Sequence, residues 1–241
     1  MLQADFKTFN IDCMQNGVAM GSLENDELWP RGQRSTFVTQ HIRDMIVSGE
    51  LPGGDRINER ILTEQLGVSR TPLREAFKIL EGEGLIAISP NRGATVVSLL
   101  PSDVEAAIDV LIGLESVAAE RACEKANRAM IRHIEDLHQK MVASFRAQEL
   151  MEYFHINQTI HQKIVDCAQN ATLSRVYAAE SARIRRYRYA GNRRPERWER
   201  AVFEHEQILD ALKQREGPLL REVLRAHHLK GWTVTRSVLE S

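Results

Sequence analysis

A chain of 241 residues, 43% apolar and 27% charged, is long enough for two domains and too rich in core-forming residues to be disordered. Its net charge of −1 is unlike the basic balance usual in a general polyanion binder but leaves room for a local basic patch. The three cysteines, Cys13, Cys123 and Cys167, form no CxxC pair, which excludes a disulfide scaffold and an all-cysteine zinc site and points to a reducing, cytoplasmic setting.

No apolar run approaches the roughly 18 residues a membrane span needs. The stretch Val104 to Ala119 comes nearest and is broken by Asp109 and Glu115. No basic segment followed by an apolar run opens the chain, so neither a leader nor a membrane partner is expected. Residues 1–33 lack periodicity, carry scattered acids and read as a flexible tail.

From Ser35 the pattern turns helical, with Phe37, Val38, His41, Ile42, Met45 and Ile46 recurring at three and four. Gly49 stops this helix and Leu51-Pro52-Gly53-Gly54 makes a turn. A short second helix follows, capped by Asn58, with Ile61, Leu62 and Leu66 on its apolar face and Gly67 as its stop. The tight turn Val68-Ser69-Arg70-Thr71-Pro72 leads into a third helix that runs to about Glu83; Pro72 is tolerated in a first turn, where amides lack an intrahelical acceptor. Residues 85–88 and 94–97 then alternate and β-branch around Pro90-Asn91-Arg92-Gly93, as a hairpin does. Three helices and a hairpin over residues 34–98 predict a winged helix-turn-helix.

After Pro101 the pattern is helical throughout, opening with a capping-box signature at Ser102 and Glu105. Helices are expected near 102–125, 128–147, 149–168, 172–189, 197–215 and 218–239, joined by short connections. The fold class is therefore mainly α: an N-terminal winged helix-turn-helix and, over 102–239, an all-α antiparallel helical bundle.

On the third helix Leu73, Ala76, Phe77 and Leu80 share one arc, while Arg70, Arg74 and Lys78 form a basic stripe on the next. A short helix with such a face can enter a major groove, where the arginine fork matches guanine O6 and N7. Ser69, Thr71 and the helix N-terminus suit phosphates. Arg60, ten residues before Arg70, reaches the same groove, and Arg92 at the hairpin tip can touch phosphate or the minor groove.

These residues carry a resemblance. Gly49-x-Leu51-x-Gly53, Leu66-Gly67-Val68-Ser69-Arg70-Thr71-Pro72-Leu73-Arg74-Glu75-Ala76 and Glu83-Gly84-Leu85-Ile86 closely resemble the GntR family of bacterial transcription regulators. The resemblance implies that Arg60, Arg70 and Arg74 contact double-stranded DNA, that Gly93 lies in the wing, and that a homodimer binds an inverted repeat.

Of eight histidines, all but His41 lie beyond residue 130. His161 shares a helix face with Asn157, four residues before it. His205 lies on an apolar stripe with Ile208, Leu209 and Leu212, and His227 on another with Leu220, Leu224 and Val234, while His228 is rotated away. Imidazoles from three helices that meet inside a bundle can bind a divalent metal. Arg183, Arg185, Arg186 and Arg188 form a basic segment that reads as a solvated or dimer face rather than an effector clamp.

An all-helical domain behind such a reader resembles the FadR-type effector domain, FCD. That resemblance implies a metal site (zinc, nickel or manganese) formed by Asn157, His161, His205 and His227. Asn157 stands where the family has Asp, and Leu111 stands where it commonly has Arg, four residues before Glu115. A neutral amide in place of a carboxylate leaves a divalent ion its full +2, so the site should hold metal less tightly and draw an anion more strongly. The expected function is a transcription regulator, a repressor, responsive to a small carboxylate effector. No catalytic residues are assigned and no enzyme is expected, since nucleophile elbow, P-loop and dinucleotide fingerprint are all lacking. The alternatives are a regulator whose effector is the ion itself, or a metal-dependent hydrolase.

Overall fold

The computed structural model describes residues 33–240, apart from Asn91; the expected tail, residues 1–33, otherwise lies outside them. Ten helices and one two-stranded sheet make up the described residues. In chain order they are α1 (Gln33–Ser48), α2 (Glu59–Leu66), α3 (Arg70–Gly82), β1 (Ile86–Ser89), β2 (Gly93–Val96), α4 (Pro101–Lys125), α5 (Arg128–Arg146), α6 (Leu150–Cys167), α7 (Ala171–Arg183), α8 (Arg185–Asn192), α9 (Pro195–Lys213) and α10 (Gly217–Leu239).

Local chemistry sets the N-terminal elements. Asn58 caps α2 by accepting from the Ile61 amide at 3.2 Å, and Gly67 ends it in the left-handed region at φ 61°, open to glycine without steric cost. Val38, Ile42, Ile46, Leu62, Leu73, Phe77, Leu80, Ile86 and Val96 make one buried core, so the first and third helices and the hairpin bury the arcs their periodicity indicates. Ile61 departs from expectation: it is exposed, and Leu62 alone of α2 is fully buried, because eight residues offer only two turns to the core. The hairpin pairs Ile86 with Val96 and Ser89 with Gly93, so the two strands lie one residue nearer the turn than the expected 85–88 and 94–97. A single bridge from Arg56 to Thr95 adds the connection before α2 to the same sheet.

The bundle holds seven helices, not six. Ile184 lies outside helical geometry at φ −104°, ψ 8° and divides the expected 172–189 helix into α7 and α8. The residue is β-branched, a weak helix former, and is completely buried; the turn lets Ile184 and Tyr187 enter the same core. The Leu99 amide donates to the Tyr187 hydroxyl at 2.6 Å, tying α8 to the chain just before α4. The cap of α4 also differs from expectation. Asp103, rather than Glu105, accepts from the Leu100 amide at 3.0 Å, since the helix begins at Pro101; Glu105 instead receives the Trp232 indole N–H at 2.9 Å.

Helices α5 and α6, α6 and α7, and α9 and α10 pack pairwise across connections of three residues, so each pair runs antiparallel. Helix α10 packs against α4, α8 and α9 together, which buries it on more than one side. The two halves of the chain meet where α8 lies against α1: Val47, Phe154 and Tyr189 form a small cluster there, and His155 of α6 stands 3.0 Å from Asp44 of α1.

Candidate functional site

Two groups of chemistry-bearing side chains stand at opposite extremes of solvation. The first covers the outer face of α3. Arg70, Thr71, Arg74 and Lys78 are all exposed, while Leu73, Ala76, Phe77 and Leu80 hold the helix to the core. Ser69 is the N-cap residue of α3, yet its hydroxyl makes no capping bond and faces water. Arg60 pairs with Glu64 at 3.2 Å, and Arg74 stands 3.6 Å from Glu59, the neighbour of Arg60. Both arginines keep most of their side-chain surface in water, so these pairs are weak and exchangeable.

The Arg74–Glu59 pair shows that the start of α2 and the middle of α3 share one surface. The wing joins it through Arg56, whose guanidinium lies beside Gly93, where φ is +76°. A shallow groove lined by Arg56, Asn58, Arg60 and Gly93 runs between them. Arg92 is exposed at the hairpin end. The structure thus brings Arg60, Arg74 and Gly93 near one another with Arg56 between them, and leaves Ser69, Arg70, Thr71 and Arg92 exposed. The sequence signal for Arg56 was its place beside the Gly53-Gly54 turn, which says nothing of strand pairing.

The second group lies inside the bundle. Asn157 and His161 of α6, His205 of α9 and His227 of α10 are all buried, and one nitrogen of each of the three imidazoles falls within 4.8 Å of the others. Their ring centroids stand 4.8–5.1 Å apart. Two of the rings are oriented from behind by carboxylates. His161 Nδ1 stands 3.0 Å from Glu115 Oε1, and His227 Nδ1 stands 2.7 Å from Glu204 Oε2. A metal-ligating imidazole is commonly held this way, its far nitrogen left for the ion.

Burial drives the His161 pKa down to about 4, and burial with neighbouring imidazoles pushes His205 and His227 well below the usual histidine range. All three are therefore neutral, the form that binds a metal. His161 Nε2 and both nitrogens of His205 are buried with no hydrogen-bond partner in the protein. Buried polar atoms are rarely left so, and with one nitrogen of each ring facing the others the set fits a divalent ion.

Glu115 is the hub behind the cluster. It accepts from the Tyr177 hydroxyl at 2.6 Å and meets His228 Nε2 at 2.7 Å as well as His161. Burial opposes its charge, but the facing histidines prevail and hold its carboxyl well below the usual carboxylate range. His228 thus meets a different carboxylate from His227 and is buried too, the two ring centroids 5.7 Å apart. Glu115, His161 and His228 form a second buried set with metal-ligand spacing that shares His161. Leu111, fully buried, contributes only packing at the place where the family commonly has an arginine.

A cavity adjoins the histidines, lined by Asn157, Gln158, Arg188, Arg197, His227 and Trp232 among others. Its volume is about 30 Å³, room for two or so waters. Arg197 is buried and paired with Glu204 at 2.7 Å. Of the basic segment expected to be a solvated face, Arg183 is exposed, but Arg185, Arg186 and Arg188 are half-buried, and Arg188 lines this cavity. The turn at Ile184 resets the helix phase and turns that side chain inward.

A basic helix-turn-helix face joined to a helical bundle with a buried histidine cluster is the arrangement of a transcription regulator. Residues 34–96 match the bacterial regulatory proteins of the gntR family, and residues 106–230 match the FCD domain. The chain belongs to that family, and is a GntR transcriptional regulator with an FCD effector domain. It is similar to the HTH-type transcriptional regulator YdhC of Bacillus subtilis, 28% identical over 200 residues that cover 83% of this chain and 89% of the relative. A probable D-xylose utilization operon transcriptional repressor of Paenarthrobacter nicotinovorans is 30% identical over 209 residues, 82% of this chain and 88% of that one. Among solved structures, Escherichia coli McbR/YncC shares the fold with a TM-score of 0.73 at 18% identity, over 85% of this chain and 97% of the other. Among the described residues no helix is long and apolar enough to cross a membrane.

Proposed function

We propose that this regulator is a homodimeric, cytoplasmic repressor that binds an inverted-repeat operator and releases it when a small carboxylate effector enters the bundle beside a divalent metal. Arg70 and Arg74 reach base edges from the N-terminal half of α3, and Ser69, Thr71 and the α3 N-terminus take backbone phosphates. Arg60 enters the same groove; Arg92 and the Gly93 backbone carry the wing to the flanking duplex. Their exposure supports these roles, since a guanidinium spent on a buried partner is not free for DNA.

His161, His205 and His227, with Asn157 beside them, would hold the metal, and zinc, nickel and manganese all suit the nitrogen and oxygen donors. The single observation that carries this is the set of unpartnered buried imidazole nitrogens. A divalent ion bound there supplies positive charge that an effector carboxylate can meet. All four donors are neutral, so the charge is not cancelled by the protein; metal and carboxylate should therefore bind as a mutually dependent pair. Glu115 and Glu204 orient the rings rather than ligate. Glu204 is already shared among Arg197, His227 and Lys230, which leaves it poorly placed as the general base a hydrolase would need.

The test is operator binding by the full-length protein, on a duplex selected from random DNA. It is run metal-free, with zinc, and with zinc plus lactate, malonate or citrate. Release by carboxylate only in the presence of zinc is expected. DNA affinity that follows free zinc and ignores every acid would instead make the ion the effector, and turnover of an acid would make the bundle an enzyme.

A further inference from the structure

Two arginines line the cavity beside the histidines, and their electrostatic situations differ. Arg197 is neutralised by Glu204 at 2.7 Å. Arg188 is not: its guanidinium donates to the Gln158 carbonyl oxygen at 2.8 Å and to the Ser181 hydroxyl at 3.4 Å, and among the described residues no carboxylate stands within ion-pair distance. Both partners are neutral and both are buried. A half-buried guanidinium held by neutral groups, at the edge of a cavity with no anion of its own, is an unmet positive charge. Its fork geometry matches a carboxylate in a way that neither partner fully uses.

The placement of Arg188 adds a consequence. It belongs to α8, the short helix that lies against α1 of the reader. One residue on, Tyr189 packs with Val47 of α1 and Phe154 of α6; one residue back, the Tyr187 hydroxyl ties α8 to Leu99. Gln158, the group Arg188 now grips, neighbours Asn157 on α6. Any anion that takes Arg188 from Gln158 therefore acts at the junction of cavity, α6 and α8.

We infer that Arg188 is the carboxylate anchor of the cavity, the specificity-determining residue that takes the anionic end of a short effector, and that α8 carries its engagement to α1. The inference rests on the effector reading above and names the residue and ligand class that serve it. The cavity volume of about 30 Å³ is room for the carboxylate group that engages Arg188, not for the whole of a longer acid.

Wild type, Arg188→Gln and Arg188→Lys are compared as full-length, zinc-loaded protein, with lactate and malonate as probes in calorimetric titrations. Zinc titrations and selected-operator binding are run in parallel. Arg188→Gln should bind zinc and operator as wild type does and bind the preferred probe about 10- to 100-fold more weakly, with operator release lost in proportion. Arg188→Lys should recover part of the loss, because it keeps the charge and forfeits the fork. Unchanged probe affinity in Arg188→Gln overturns the anchor. Weakened probe binding in Arg188→Gln, with no effect of either acid on wild-type operator affinity, keeps the anchor and overturns the effector reading. No binding of either acid to wild type overturns both.

Discussion

The reader and the bundle present two opposite uses of charge. On α3 the arginines lie in water, paired weakly or with nothing, and DNA gains from them because little must be undone on contact. In the histidine cluster of the bundle the ionisable groups are desolvated, and what remains available is the neutral nitrogen of a buried ring. A polyanion is met by mobile exposed cations; an ion is met by fixed buried lone pairs. The difference teaches that salt should govern the first region and proton and metal concentration the second.

The sharpest break of that contrast is His205→Ala. Neither of its nitrogens has a partner in the protein, so removing the ring takes away no hydrogen bond. Zinc affinity should fall by more than the roughly 100-fold that losing an outer-shell partner costs. Operator affinity of the metal-free protein should not change, as read by calorimetry and by electrophoretic shift. Glu115→Gln should follow, with zinc bound about 10- to 100-fold more weakly as His161 loses its ionised partner.

On the reader, Arg70→Ala should cost about 1–3 kcal/mol of specific binding and relax preference at one base position in a selection from random DNA. An equal loss on random duplex would make Arg70 a phosphate contact. Arg92→Ala should weaken binding uniformly across sequences and reduce the slope of log affinity against log salt by about 1.

A separate effect is expected on stability. The unfolded chain binds a proton at an unperturbed histidine near pH 6.5 that folded His161, with its pKa lowered to about 4, refuses. More protons in the unfolded state mean stability that is present above that window and lost as pH falls through it. Thermal melts of metal-free protein should therefore decline from about pH 6.5 toward 4, and zinc should raise the whole curve while leaving that decline in place.

The two regions also differ in how far the sequence reveals them. The reader is contiguous, and its chemistry repeats within a single helix, so stripe, turn and hairpin could be read from residues 58–97. The metal set spans three helices; its members were legible as histidines on apolar stripes, and only the family resemblance joined them. Glu115 was legible as an acid interrupting an apolar helix, but its role as hub was not, because its partners come from α6, α7 and α10. His228 was legible as rotated off the His227 stripe; its burial was not, because α10 is covered by three neighbours. Arg188 read as solvated because nothing in its local pattern announces the turn at Ile184.

The most direct test of the contrast is a zinc titration of chelator-stripped wild type beside His205→Ala, both shown folded by circular dichroism. The account predicts about one ion per chain in the wild type and none in the variant. Zinc binding that is absent from wild type, or that survives unchanged in His205→Ala, would contradict it.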